Sequence, residues 1–179
     1  MAQRQLSPQF LNSLVMVPHR DEENTLVRET TTETAVFQVD ILPYTLGTEK
    51  SLRLKMFGDC FNQTGVNQDI TFRWYFGSTT LSTSVFNIPN DANKRAVKFE
   101  GTLMGQEALD VQRSVTEVLI GAANTATGTS AVPSFVHLAT QETCTEDSTI
   151  INTMILSVEL SASSISFLFN FWGATLEIV

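Results

Sequence analysis

From Thr30 onward the apolar residues recur with a period of two, and the pattern restarts after each polar turn. Alternation of this kind puts one row of apolar side chains on a single face of an extended strand, so each segment must find a partner layer for that face. Ala35, Phe37, Val39 and Ile41 alternate with Val36, Gln38 and Asp40, and Pro43 closes the run. Leu52, Leu54 and Met56 alternate with Arg53 and Lys55. Ile70, Phe72, Trp74 and Phe76 alternate with Thr71, Arg73 and Tyr75, and Gly77-Ser78 offers a two-residue hairpin into Thr79 to Val85. After the turn residues Pro89-Asn90-Asp91, Val97, Phe99 and Leu103 alternate with Lys98, Glu100 and Thr102. Leu109, Val111, Arg113, Val115 and Glu117 share a face, with Val118 and Ile120 on the other; Met154 to Leu160 and Ile165 to Val179 complete the series.

About eight such strands bury one face each only in a two-layer or closed arrangement. The expected fold is therefore all-β, a jelly-roll-like antiparallel sandwich with a core drawn from the 12 phenylalanines. Residues 1–29 break the pattern and are expected to be an N-terminal arm on a sandwich spanning 30–179. Within the arm, Ser7-Pro8 suits a helix start, with Phe10 and Leu14 on one face before Pro18. The acidic run Asp21-Glu22-Glu23 reads as a solvated linker.

Two segments are unusual for an isolated domain. Residues 121–149 are expected to form one long loop, well beyond the roughly 4–6 residues typical of compact domains, and it carries Val132, Phe135, Val136 and Leu138. The last strand, Phe167 to Trp172, is apolar on both faces, as for a strand covered on both sides by its own fold or by a neighbouring subunit.

Charged residues make up 17% of the chain, against about 25% in ordinary soluble domains. Part of the surface must then be neutral. The net charge is −8, with the 11 basic residues scattered singly, which provides no stripe to displace phosphate counterions. Direct nucleic-acid partners and anionic membranes are not expected. The N-terminus shows no apolar signal region and no apolar run long enough to span a bilayer, so a soluble, unsecreted product is expected.

No reactive constellation is visible. Cys60 and Cys144 form no CxxC pair and have no histidine at ligand spacing; two free thiols are the default, and a bridge between them stays open. His19 and His137 lack partners at metal-ligand spacing. The loop acids Glu142, Glu146 and Asp147 lack the spacing of a calcium loop. No nucleophile elbow, phosphate loop, dinucleotide-binding glycine pattern or zinc-protease helix occurs. No enzyme activity, cofactor or metal is expected, although carboxylate pairs assembled by the fold are invisible to sequence. Asn62-Gln63-Thr64 matches a glycosylation sequon but serves better as a turn before Gly65.

Several runs carry a family likeness: Leu42-Pro43-Tyr44-Thr45-Leu46-Gly47, Leu52 to Gly58, Asn62 to Gly65, Phe76-Gly77-Ser78-Thr79-Thr80-Leu81, and Gly173 to Val179. From about Glu29 onward the chain resembles a recurring β-sandwich module of tailed-bacteriophage virion proteins. Cys60 and the acid- and Thr-rich long loop depart from that pattern. The resemblance implies a capsid decoration or cement protein on the virion surface, made in the host cytoplasm, with the major capsid protein as partner and a homotrimer as its assembly. The docking residues expected are Phe10, Leu11 and Leu14 in the arm and Phe135, Val136 and Leu138 in the long loop. The alternative is a receptor- or glycan-binding module at a tail or head-fibre tip, with Tyr75 or Trp172 stacking on sugar rings.

Overall fold

The computed structural model describes residues 16–21, 24–123 and 136–179. In chain order the strands are β1 (Met16–Asp21), β2 (Thr25–Arg28), β3 (Thr34–Ile41), β4 (Ser51–Asn62), β5 (Gln68–Phe76), β6 (Thr79–Ile88), β7 (Asp91–Gln106), β8 (Ala108–Ala123), β9 (Val136–Cys144), β10 (Asn152–Leu160) and β11 (Phe167–Ile178). They form two antiparallel sheets. One runs β1-β11-β4-β7-β8-β9, with β2 also against β11; the other runs β3-β10-β5-β6.

The pairings β2·β11, β3·β10, β4·β7 and β5·β6 are nested, the pattern of a single long antiparallel ribbon folded at the β5–β6 turn. Rolling that ribbon sends alternate pairs into opposite sheets, which is the jelly roll. β8 and β9 extend the larger sheet beyond β7. The all-β sandwich read from the alternation is the fold observed.

The alternation becomes burial directly. In β5, Ile70, Phe72, Trp74 and Phe76 are at most 1% exposed, and Leu52, Leu54 and Met56 of β4 are fully buried. Phe72 meets Phe169 and Phe86 edge-on, with centroids 5.4 and 6.1 Å apart, and Trp74 meets Phe99 the same way at 5.9 Å. Edge-to-face packing suits the ring quadrupoles. The sheets close over Trp74 only because Gly101 lies beneath it: a Cβ there would stand 2.7 Å from a ring carbon.

The core changes character toward β6, β8 and β9. β8 turns Gln112, Ser114 and Thr116 inward before Val118 and Ile120, and β6 buries Ser82 and Ser84. The Ser114 hydroxyl crosses between sheets to the Leu81 carbonyl at 3.3 Å. Ser82 Oγ, Ser84 Oγ, Thr116 Oγ1, Thr140 Oγ1 and Gln112 Oε1 are buried without a hydrogen-bond partner. This side of the sandwich is a polar seam.

Three sequence expectations change. There are eleven strands among the described residues, not eight. Residues 121–149 are not one loop, because Val136 to Cys144 form β9 and pair with β8 from Gln112 to Ile120. Nor are residues 16–28 wholly an arm: β1 and β2 lie end to end along the edge of β11. Pro18 fits there because its register position falls in the irregular stretch between Met16 and His19, where no ladder bond needs its missing N–H. The expected helix from Ser7 lies outside the described residues. Cys60 and Cys144 are free and buried.

Candidate docking site

The most conspicuous surface feature lies at one end of the sandwich, where the 42–50 and 145–151 connections, the β5–β6 turn and the β7–β8 turn come together. The β3–β10 ladder ends at Ile41 opposite Asn152, which puts Leu42 beside Ile151 at the tip. Leu42, Tyr44, Ile150 and Ile151 are 65, 63, 55 and 57% exposed. Four large apolar side chains gathered on two adjoining loops differ from the scattered apolar exposure of any surface.

These loops are held firmly. The Tyr44 N–H donates to the Ser148 carbonyl at 2.7 Å, and the Ser148 N–H and hydroxyl both donate to the Leu109 carbonyl, at 2.9 and 2.6 Å. Asn152 Nδ2 reaches the Asp147 carbonyl at 2.7 Å, and Gln112 Nε2 donates to the Leu109 and Glu146 carbonyls. The Glu146 carboxylate accepts from the Ser78 N–H and the Ser78 and Thr79 hydroxyls. Burial alone would raise its pKa; those donors outweigh burial and hold it below the ordinary value. Tyr44 sits at φ 61°, a left-handed conformation that costs a bulky residue about 1–2 kcal/mol. The backbone strain leaves the ring in solvent.

The tip is also acidic. Asp40, Glu49, Glu107, Asp110, Glu146 and Asp147 stand at this end against Lys50 and Arg113. Two open grooves meet at Thr48: one of about 650 Å³ bounded by Gly105 to Ala108, Val111 and Arg113, the other of about 390 Å³ bounded by Tyr44 and Leu46 to Lys50.

A second feature lies on the outer face of the larger sheet. A bulge between Phe171 and Gly173 turns Trp172 outward, 49% exposed. Its indole N–H donates to Asp59 Oδ2 at 2.9 Å, and Asn170 Nδ2 reaches the same oxygen at 3.3 Å. Lys94 Nζ makes an ion pair with Asp59 Oδ1 at 3.2 Å. Phe57, 48% exposed, lies on the same face one register step away.

On the smaller sheet, Arg73 Nη1 bridges Glu33 at 3.0 Å and Glu159 at 2.5 Å, and the Tyr75 hydroxyl donates to Glu33 at 2.8 Å. The Ser157 hydroxyl donates to the same Glu33 oxygen. Burial would raise Glu33; the Ser157 and Tyr75 hydroxyls and Arg73 together hold it low. This network ties the 29–33 connection to β5 and β10, and it commits the Tyr75 hydroxyl to an internal partner.

Of the docking residues read from sequence, Phe10, Leu11, Leu14 and Phe135 lie outside the described residues. Val136 pairs with Ile120 at the start of β9. Leu138 is partly buried and packs against the hydrophobic core of its own chain. The period-two register explains this: Leu138 pairs with the inward Val118 and takes its face. Sequence reading missed the tip because Leu42, Ile150 and Ile151 flank strand patterns and look like their continuation.

Burial pushes the Cys60 thiol up to about 12 and raises Cys144 as well, which keeps both protonated at neutral pH. Strands β7 and β8 separate Cys60 on β4 from His137 on β9. No group of three His, Cys, Asp or Glu side chains among the described residues is arranged to hold a metal.

No family model and no curated protein sequence matches the chain. Among solved structures it is similar to a chain of the infectious bursal disease virus Gt strain structure, with a TM-score of 0.34, 11% identity, and coverage of 93% of this chain and 32% of that one. A chain of the Gx strain structure gives 0.29, 10%, 93% and 41%. The CBM2 module of the Lactobacillus casei BL23 phage J-1 evolved Dit gives 0.37, 7%, 78% and 67%. The chain thus spans about a third of the first of these. Likeness at this level carries no argument, and the jelly roll rests on the strand pairing itself.

Proposed function

We propose that this chain is a non-enzymatic virion structural protein of a tailed bacteriophage, a decoration or cement protein that seats on the assembled head and stabilises it. The observation that supports this reading is the tip: four exposed apolar side chains on loops fixed by backbone and buried polar hydrogen bonds, one of them displayed at the expense of backbone strain. A surface already rigid before binding loses little conformational entropy when it docks. The motif Leu42 to Gly47, part of the resemblance to phage virion modules, forms this tip. The major capsid protein is the proposed partner. Self-association, as a trimer, is proposed to set several tips at once on a symmetry axis, so that modest contacts add through avidity.

Co-sedimentation of the full chain with shells assembled from the major capsid protein of the same virus tests this. Saturable binding that raises the shell's melting temperature is expected, because a ligand of the assembled state stabilises it by mass action. Absence of binding at micromolar protein sinks the reading.

A second reading, saccharide binding, has one specific observation in its favour: Trp172 presents a half-exposed ring whose orientation is fixed through its N–H by Asp59. A preset aromatic face ringed by Asn170 and Lys94 suits the apolar side of a sugar. Since Trp74 is fully buried, a change in tryptophan fluorescence on titration with oligosaccharides would report on Trp172. An unchanged spectrum across a broad glycan panel removes this reading.

A further inference from the structure

We infer that the partner surface receiving the tip is basic around an apolar pocket, and that this protein docks end-on through its loops rather than flat on a sheet face. The inference rests on the docking role proposed above and adds the chemistry of the contact.

The charge pattern selects the occupant. Of the acids at the tip, Asp40, Glu49, Glu107, Asp110 and Asp147 are exposed, and none forms an ion pair with another described residue. The outer face of the larger sheet is arranged differently. There Glu177 bonds Lys55 at 3.1 Å, and Lys98 bonds Glu100 at 2.9 Å. Arg53 stands 4.0 Å from both Glu100 and Glu177. That face is neutralised internally, whereas the tip keeps an excess of negative charge around Leu42, Tyr44, Ile150 and Ile151.

A second copy placed tip to tip would set like charges against each other, which costs several kcal/mol across an interface. An anionic bilayer is repelled for the same reason. A protein surface with lysines and arginines around an apolar depression satisfies both parts of the tip. The apolar side chains supply the burial, while the acids steer the approach and set its register. Exposed acids lose little water when paired at a rim, so their effect falls mainly on association rate and salt dependence.

The test uses the full chain and assembled shells of the same virus at two ionic strengths, about 0.05 M and about 0.5 M, between which screening removes most rim electrostatics. Two variants accompany the wild type: Leu42→Ser with Ile150→Ser, and Glu49→Gln with Glu107→Gln and Asp147→Asn. All five positions are exposed, so the fold should be little affected. Expected are a binding loss of about tenfold or more for the apolar pair and, for the charge variant, weaker binding at low salt with a flattened salt response. Phe57→Ser, on the sheet face, should bind like wild type.

If wild type binds and both tip variants match it, the end-on inference is overturned while the cement role stands. If wild type does not bind, the role and the inference fall together. Dimerisation of the free chain that Leu42→Ser with Ile150→Ser abolishes would make the occupant a second copy and overturn the basic partner. Increased hydrogen exchange at Tyr44 and Ile150 on removal of residues 1–15 would make it the chain's own N-terminal segment, with the same consequence.

Discussion

Tyr44 and Gly101 show how single positions divide between fold and display. Gly101 has no side chain because the Trp74 ring occupies the space, and Trp74 has buried neighbours that prevent it from moving aside. Gly101→Ala should therefore destabilise by about 1–3 kcal/mol, the usual range for overpacking a closed core, measured by urea unfolding. Tyr44 has the opposite balance. Its backbone is left-handed at φ 61° and its side chain is 63% exposed, so it contributes strain and little packing. Asparagine tolerates that conformation better than tyrosine. Tyr44→Asn should raise stability by up to about 1 kcal/mol while weakening shell binding. A loss of stability would show that the ring packs on its own chain and would remove it from the docking set.

Among the elements, the β6–β8–β9 seam offers a prediction that runs against the usual cost of core substitutions. Thr116 Oγ1 and Ser84 Oγ are buried with no partner. A buried hydroxyl without a hydrogen bond costs about 1–3 kcal/mol. Thr116→Val and Ser84→Ala should thus each raise the urea midpoint with an unchanged denaturant slope, and a lowered midpoint would reveal ordered water bonded at the seam. The seam also explains which elements were legible in sequence. β4, β5, β7, β10 and β11 could be read because Leu52, Phe72, Phe99, Leu156 and Phe169 put strong apolar alternation on an inward face. β9 could not, since the row that continues from Leu138 is Thr140, an exposed Glu142 and Cys144, and only Leu138 gives the strong apolar signal of a buried strand. β1 and β2 were hidden by Pro18, His19 and the neighbouring acids, residues an edge position tolerates. The tip was illegible for a different reason. Its exposure comes from where β3 and β10 stop pairing, and stopping points depend on the tertiary register rather than on local pattern.

For the whole molecule, acid is the condition that separates internal fastening from general charge. Glu33, Glu100 and Glu146 all have pKa values held below their ordinary 4.5: Glu100 chiefly by the Lys98 ammonium, the other two by hydroxyl and N–H donors that overcome burial. A carboxylate whose folded pKa lies below its unfolded one binds fewer protons in the folded state. Its contribution is complete above the unfolded value and disappears as pH falls through the folded one. Stability should therefore hold from neutral pH to about 5.5 and decline below the ordinary carboxylate value. The net charge of −8 acts in the other direction, because protonation relieves self-repulsion. At about 0.15 M salt the screening length is about 8 Å, which weakens repulsion between distant surface charges but leaves bonds of under 3.5 Å largely intact. Fastening should dominate there. Glu146→Gln supplies the decisive comparison: the amide oxygen can still accept from Ser78 and Thr79, but no proton is taken up. Its stability should be lower than wild type at pH 7 and depend less on pH between 5.5 and 3.5, with the gap closing at the acid end. Once corrected for the slower intrinsic amide exchange in acid, the protection of the Tyr44 and Ser148 N–H groups should fall in the wild type at a higher pH than that of β5, since Glu146 secures the tip and not the core. A wild type that grows more stable from pH 6 to pH 4 at this salt would mean that repulsion outweighs these bonds.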